Sequence, residues 1–326
     1  MSIQKIREIV DNIDYSFNEG KKISIALMTY DRVDYTKRVL DSLEANKITK
    51  NIPIFLFIDG GPKSRKQEIV NDLAARDHFI HKFAIPRNGN IGCSANIINA
   101  RDTIFMDLDF DSAFILEDDL VLAENYIEHL MEANNRLTKK YNNIGMIQGW
   151  NKNGDDLNIS PDEFELVSDM HLWGYIMNKP VWEDIRDIMI EYRTRFHDHL
   201  TKNGNGKWQF EIPENLNKVR KYMKDTLSKA EEILRNEELG ILPNQRGEQY
   251  PRLTRPSVPT GQDAMTETSL ISKGYARLMT SRNKSKNIGE WGLHQTPEIY
   301  ARHGLANITY SSYDYNPEKF YVRIEK

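Results

Sequence analysis

Cysteine is nearly absent from this sequence. Cys93 is the only one in 326 residues, which excludes a disulfide framework and a cysteine-based zinc site and leads us to expect a reducing compartment. Long apolar runs are missing too, and none approaches the roughly 20 residues of a membrane-spanning helix. The start, Met1 to Val10, mixes charged and apolar side chains and lacks the apolar core of a signal peptide. A cytoplasmic location is expected, with room for peripheral contact with a membrane surface. There is no basic excess, since 44 Lys and Arg stand against 48 Asp and Glu for a net charge of −4. Without a basic cluster to grip a phosphate backbone, no nucleic acid partner is expected. The P-loop phosphate cradle and the Gly-x-Ser-x-Gly nucleophile elbow are both missing. No internal repeat or low-complexity tract occurs.

What the chain does carry is a strand–helix alternation with nearly continuous apolar strands. Ile23–Met28, Ile52–Ile58, Phe79–Ile85 and Ala113–Leu116 read as strands. Thr36–Glu44, Lys66–Ala75 and Ser94–Phe105 have helical spacing between them. That order predicts an α/β fold with a mostly parallel central sheet flanked by helices. A helix over Asn125–Tyr141, a strand over Ile144–Gln148, two short strands over Phe164–Val167 and His171–Met177, and a long helix over Val181–His199 follow. Glu214–Leu239 is charged and reads as helical. Four prolines, Pro243, Pro251, Pro256 and Pro259, then punctuate an irregular stretch before a helix opens at Gln262 and a strand runs over Tyr275–Thr280. The polar, glycine-rich run from Ser281 to His294 reads as a loop.

In a parallel sheet, ligands bind beyond the carboxyl ends of the strands. Each early strand ends in polar or charged residues: Asp31 and Arg32, Asp59 with Gly60, Arg87 with Asn88, and Glu117-Asp118-Asp119. Adjacent carboxylates repel, and either a solvated turn or a hard cation accommodates them. Mg²⁺ or Mn²⁺ takes one or two carboxylates plus substrate phosphates. Arg32 and Arg87 suit neutralisation of a diphosphate. Asn88-Gly-Asn90-Ile-Gly92 precedes a helix and offers backbone N–H groups to phosphate or sugar. Asp263 opens a helix, either as a dipole partner of its first turn or as a general base. His197 and His199 sit two apart, which splays them on a helix. His294 is either a packing residue or one that closes over a metal–diphosphate.

Five stretches in order resemble the nucleotide-sugar glycosyltransferases of the GT-A fold, in particular N-acetylglucosaminyltransferase I and related bacterial enzymes. They are Met28-Thr29-Tyr30-Asp31-Arg32, Phe57-Ile-Asp59-Gly60, the Glu117-Asp118-Asp119 metal motif, Gly149-Trp150-Asn151-Lys-Asn153-Gly154, and Asn287-Ile-Gly289 ahead of His294. The resemblance spans residues 22–180 and 260–296, not 200–260. It implies a GT-A-like core over 22–200 after a helical lead-in (1–21), a charged helical insertion or cap over 201–260, and an acceptor-side remainder over 261–326. It implies Mn²⁺ or Mg²⁺ on Asp119 with His294 nearby. Thr29, Tyr30, Arg32, Asp59, Arg87, Asn90, Glu117, Asp118 and Trp150 would bind the nucleotide sugar, with Asp59 on the uracil. Asp263 would be the base of an inverting transfer from a UDP-sugar to a glycan or glycolipid acceptor, as in capsule or lipopolysaccharide biosynthesis in bacteria. Relatives carry Trp or Phe before that acid where this chain has Gln262, so Asp169 and Glu267 stand as alternative bases. A sugar-nucleotide nucleotidyltransferase and a non-catalytic sugar-nucleotide-binding protein on the same fold are the rival readings.

Overall fold

The seven residues of β1 (Ile23–Thr29) and the five of β2 (Ile54–Ile58) are all buried, as expected of parallel strands covered on both faces. They lie near one end of a nine-stranded sheet in a computed structural model. The structure describes residues 1–154, 158–167, 172–197, 213–229, 236, 238–243, 261–292 and 295–324.

The remaining strands of the large sheet are β3 (Lys82–Pro86), β4 (Ser112–Glu117), β6 (Ile144–Gln148), β7 (Glu163–Leu166), β8 (Tyr175–Asn178), β9 (Ala276–Thr280) and β11 (Tyr321–Arg323). Their order is β11-β7-β9-β6-β8-β4-β1-β2-β3. Pairing is parallel from β4 through β1 and β2 to β3, and again between β6 and β9 and between β7 and β11. β8 runs against both β4 and β6, and β7 runs against β9. The sheet is therefore mixed but mostly parallel, with an antiparallel strand wedged between its two parallel parts. Among the described residues no helix is long and apolar enough to cross a membrane.

Register decides where the strand ends fall. Met28 lies opposite Glu117, Thr29 opposite Ile58, and Ile58 opposite Pro86. The four early strands thus stop together, and the residues just beyond them share one rim. Helices leading into parallel strands must run back along the sheet, so their N-termini lie over the same rim. This applies to α4 (Gly92–Asp102), which feeds β4, and to α8 (Gln262–Ser272), which feeds β9.

Two sequence expectations change. The stretch after β9 is not all loop: Ser285–Asn287 forms β10, which pairs antiparallel with β5 (Leu120–Leu122), the strand that leaves the acid triplet. The charged helix α7 (Pro213–Leu227) stops well before Leu239. Asn236 instead bridges to Ile241, and a tight turn between them has Gly240 at φ +63°. A Cβ at Gly240 would lie 2.4 Å from the carbonyl oxygen of Lys140, so the turn needs glycine both for its left-handed backbone and for its close approach. α7 buries Val219, Met223 and Leu227 in the same core as the sheet.

One buried ion pair ties α8 to the strand it feeds. Arg277 on β9 donates to Glu267 on α8 at 2.6 Å, and neither side chain has exposed surface. Arg277→Met strands a buried carboxylate without this counter-charge and should cost about 3–5 kcal/mol, read as a lowered urea midpoint. The double substitution Arg277→Met with Glu267→Met should recover most of the loss. A double variant no more stable than the single one would rule out a paired-charge origin.

Candidate active site

The acid triplet leaves β4 at the rim, and the first residue to meet it is Arg32, where β1 passes into α2 (Val33–Ala45). The guanidinium forks across two carboxylates, donating through Nη1 to Asp119 Oδ2 at 2.8 Å and through Nη2 to Asp118 Oδ1. Its face lies over the Tyr35 ring, 5.4 Å from the centroid. One arginine does not balance this site. Asp118 is buried, and Glu117 and Asp119 are half-buried. Burial, and then the charges of Asp263 and Asp119, hold the Glu117 carboxyl well above the usual carboxylate range. Burial raises Asp118 to about 7 even though Arg32 pulls the other way.

Asp119 is gripped from the far side of the chain. Its carbonyl accepts from the Ile288 N–H at 2.7 Å, and Gly289 lies so close that a Cβ there would sit 2.4 Å from Asp119 Oδ2. The second oxygen, Oδ1, is buried and has no hydrogen-bond partner among the described residues. A buried polar atom without a partner needs an explanation, and a hard cation is a fitting one for a carboxylate oxygen. Among the described residues no cluster of three or more metal-ligating side chains occurs. Mg²⁺ is usually held by one or two carboxylates and completed by substrate oxygens. His294 and Asp169 lie outside the described residues.

Asp59 does more locally than a nucleobase contact requires. Its Oδ1 accepts from the N–H groups of Gly60 and Ile91 and its Oδ2 from that of Gly92, each at 2.9 Å. A carboxylate has about four lone-pair positions; two are taken in latching the 87–92 loop to the end of β2 and a third in the turn at Gly60. Burial nonetheless raises the Asp59 carboxyl above its usual range. Gly60 permits the latch, since a Cβ there would lie 2.6 Å from the Arg87 carbonyl oxygen. Arg87 donates through Nε to Asn96 Oδ1 at 3.3 Å and lies over Phe57. Its Nη2 and the Asn90 Oδ1 are buried without hydrogen-bond partners among the described residues. Thr29 is buried and shares its hydroxyl with Thr36 at 2.8 Å, while Tyr30 is half-buried beside Gly61.

Asp263 stands in the first turn of α8, where the helix dipole favours negative charge. Burial raises its carboxyl to about 6, against the pull of Arg101 and Arg277. Behind it lies a network that the sequence did not announce. Arg101 on α4 is fully buried and donates to Thr266 at 2.9 Å, to Tyr175 Oη, and to Gln262 Oε1 at 3.2 Å. The Gln262 amide in turn donates to Asp263 Oδ1. Gln262, the departure from the relatives' pattern, thus links a buried arginine to the acid. An arginine inside a helix looks the same in sequence whether it faces solvent or core, so no periodicity could have found Arg101.

Two expectations are corrected, those for Trp150 and Glu267. Trp150 has no exposed surface; it packs with Tyr300, Leu305 and Ile308 and edge-on to Trp173, so it is not presented to a ligand at the rim. Its motif works structurally: the Asn151 amide donates to Thr280 O and Glu165, and its N–H donates to Asn283. Glu267 is fully buried in its pair with Arg277 and cannot reach an acceptor as a base. His197 is buried against Tyr192, with ring centroids 4.9 Å apart, and His199 lies outside the described residues.

Three solved structures match part of the chain at low scores. The mannosyltransferase PcManGT from Pyrobaculum calidifontis, in complex with GDP-Man and Mn²⁺, is 9% identical with a TM-score of 0.37, covering 63% of this chain and 52% of its own. A protein from Desulfovibrio desulfuricans G20 described as a nucleotide-diphospho-sugar transferase is 13% identical with a TM-score of 0.33, covering 62% and 77%. The galactosyltransferase LgtC, in complex with donor and acceptor sugar analogues, is 12% identical with a TM-score of 0.36, covering 59% and 70%. The chain therefore spans about half the length of the mannosyltransferase. No curated protein matches the sequence. The family profile described as GNT-I matches residues 12–229, about two thirds of the chain, and the chain belongs to the GNT-I family.

Proposed function

We propose that this protein is a metal-dependent, inverting glycosyltransferase that moves a sugar from a UDP-sugar to a hydroxyl of a glycan or glycolipid acceptor. The observation that carries the proposal is the meeting of two kinds of acid at one rim. Asp119 keeps a buried oxygen without a partner, and Asp263, raised to about 6, acts electrostatically on the same triplet through Glu117. Membership of the GNT-I family supports the same assignment.

In this reading Asp119, together with His294, holds Mn²⁺ or Mg²⁺. A cation bound there neutralises charge on the leaving diphosphate. Arg32 and Arg87 add positive charge on the phosphate side, and Asn90 turns toward the nucleotide. The latch at Asp59 shapes the wall against which the base rests, alongside Thr29 and Tyr30. Glu117 and Asp118 orient sugar and ribose. Asp263 accepts the proton of the acceptor hydroxyl as that oxygen bonds to the anomeric carbon. The bond to the diphosphate oxygen breaks on the opposite face, and the nucleoside diphosphate departs. A single base with no carboxylate nucleophile gives inversion, unlike the paired acids of retaining glycosidases. The acceptor is proposed to be a surface-glycan intermediate handled in the cytoplasm.

Asp119→Asn should lower turnover by about 100-fold or more and remove the Mn²⁺ dependence of UDP binding in calorimetry. Unchanged activity at ordinary Mn²⁺ would overturn the assignment of Asp119. Asp263→Asn should lower transfer by about 10²–10⁴-fold while UDP affinity is kept. Only the ionised carboxylate can take the proton, so kcat/KM of the parent enzyme should fall about tenfold per pH unit below a value near 6 and level off above it. The Asp263→Asn profile should lack that acid limb. An acid limb that survives the substitution would assign the base elsewhere.

A further inference from the structure

Arg32 is the one cation that hydrogen-bonds the acid triplet among the described residues, and its position has a consequence for how the site loads. Its guanidinium spans Asp118 and Asp119. The arginine side chain is 29% exposed, against 6% for Asp118 and 13% for Asp119, so it forms the solvent-facing lid of the acids. Gly289 lies close on the other side, where an added Cβ would sit 2.4 Å from Asp119 Oδ2. A divalent cation arriving at Asp119 Oδ1 must therefore share one carboxylate with a guanidinium already bonded to its other oxygen. The two positive charges repel across a poorly solvated site. A nucleoside diphosphate reverses the sign of the effect, because its oxygens accept from Arg32 and ligate the cation together.

Resting on the proposed metal-dependent reading, we infer that Arg32 makes cation binding conditional on the nucleotide. It is a positioning residue: with no diphosphate present it occupies the acids as their counter-charge and keeps the bare cation weakly bound, and with the diphosphate present it joins the cation in neutralising it. The coupling is reciprocal, so the cation must tighten the nucleotide by the same factor.

The test is calorimetric titration of Mn²⁺ into the full chain, without nucleotide and with saturating UDP, for the parent protein and for Arg32→Met and Arg32→Lys. In the parent, UDP should tighten Mn²⁺ markedly. Arg32→Met should bind bare Mn²⁺ about tenfold more tightly than the parent, with a correspondingly smaller gain from UDP. Arg32→Lys keeps a charge but cannot span both carboxylates, and it should fall between the two; it carries the test if the methionine variant folds poorly. Bare Mn²⁺ affinity that is unchanged or weaker in both variants, with UDP-dependent binding intact, would overturn the inference and leave the metal site standing. A parent protein that binds no Mn²⁺ in either condition would overturn the metal reading itself, and this inference with it.

Discussion

The constraint on which the site depends is electrostatic crowding. Glu117, Asp118, Asp119 and Asp263 gather where the end of β4 meets the start of α8, with little water to screen them. Like charges in such a place force protons onto some of the group or recruit counter-charge. Both responses are visible. Glu117, Asp118 and Asp263 are all pushed upward, and Arg32 forks across two of the acids. A cluster of this kind is costly for folding alone, and such costs are expected at functional sites.

Geometry supplies the crowding before any side chain is considered. Parallel pairing with Met28 opposite Glu117 fixes the end of β1 to the end of β4, and the antiparallel β8 spaces β4 from β6 without reversing the direction of β6. Helices α4 and α8 then bring their N-termini to the same rim. The 87–92 loop would be free to wander there, but Asp59 holds it with two backbone hydrogen bonds, from Ile91 and Gly92. One rim thus receives a latched loop and an acid triplet side by side, and groups fixed in this way are the preorganisation that charge stabilisation requires.

Much of this was legible in the sequence, for a definable reason. Continuous apolar runs such as Ile54–Ile58 mark doubly covered strands, and the polar residues that interrupt them mark the rim. Helix Lys66–Ala75 falls where its periodicity places it. What periodicity cannot register is contact between distant segments. Ser285–Asn287 looks like loop because a three-residue strand facing β5 carries no pattern of its own. Trp150 resembles a ligand contact by motif, yet its burial is set by Tyr300, Leu305 and Ile308, which lie far along the chain. Arg101 and Gln262 are 161 residues apart, so their link to Asp263 exists only once α4 and α8 are packed.

The same reasoning explains why the segment after β9 matters to chemistry it does not perform. Lys284 is fully buried, donates to Asn125 Oδ1 at 2.5 Å, and lies 3.8 Å from the centroid of Tyr313. Burial lowers its amine to about 7, so the position is unfavourable for a charge unless the surrounding contacts compensate. Its Nζ contacts with Asn125 and Tyr313 do that, while its backbone ties the segment in: the Lys284 N–H donates to Gly149 O, and its carbonyl accepts from Ala123, both at 2.8 Å. β10 then pairs with β5, and the Ile288 N–H closes on the Asp119 carbonyl at 2.7 Å. The acid strand, the β6 exit and the C-terminal return are thereby clamped at one point. Asp119, two residues beyond the end of β4, is thus held by this return as well as by its own segment, which brings Ile288 and Gly289 against the acid triplet.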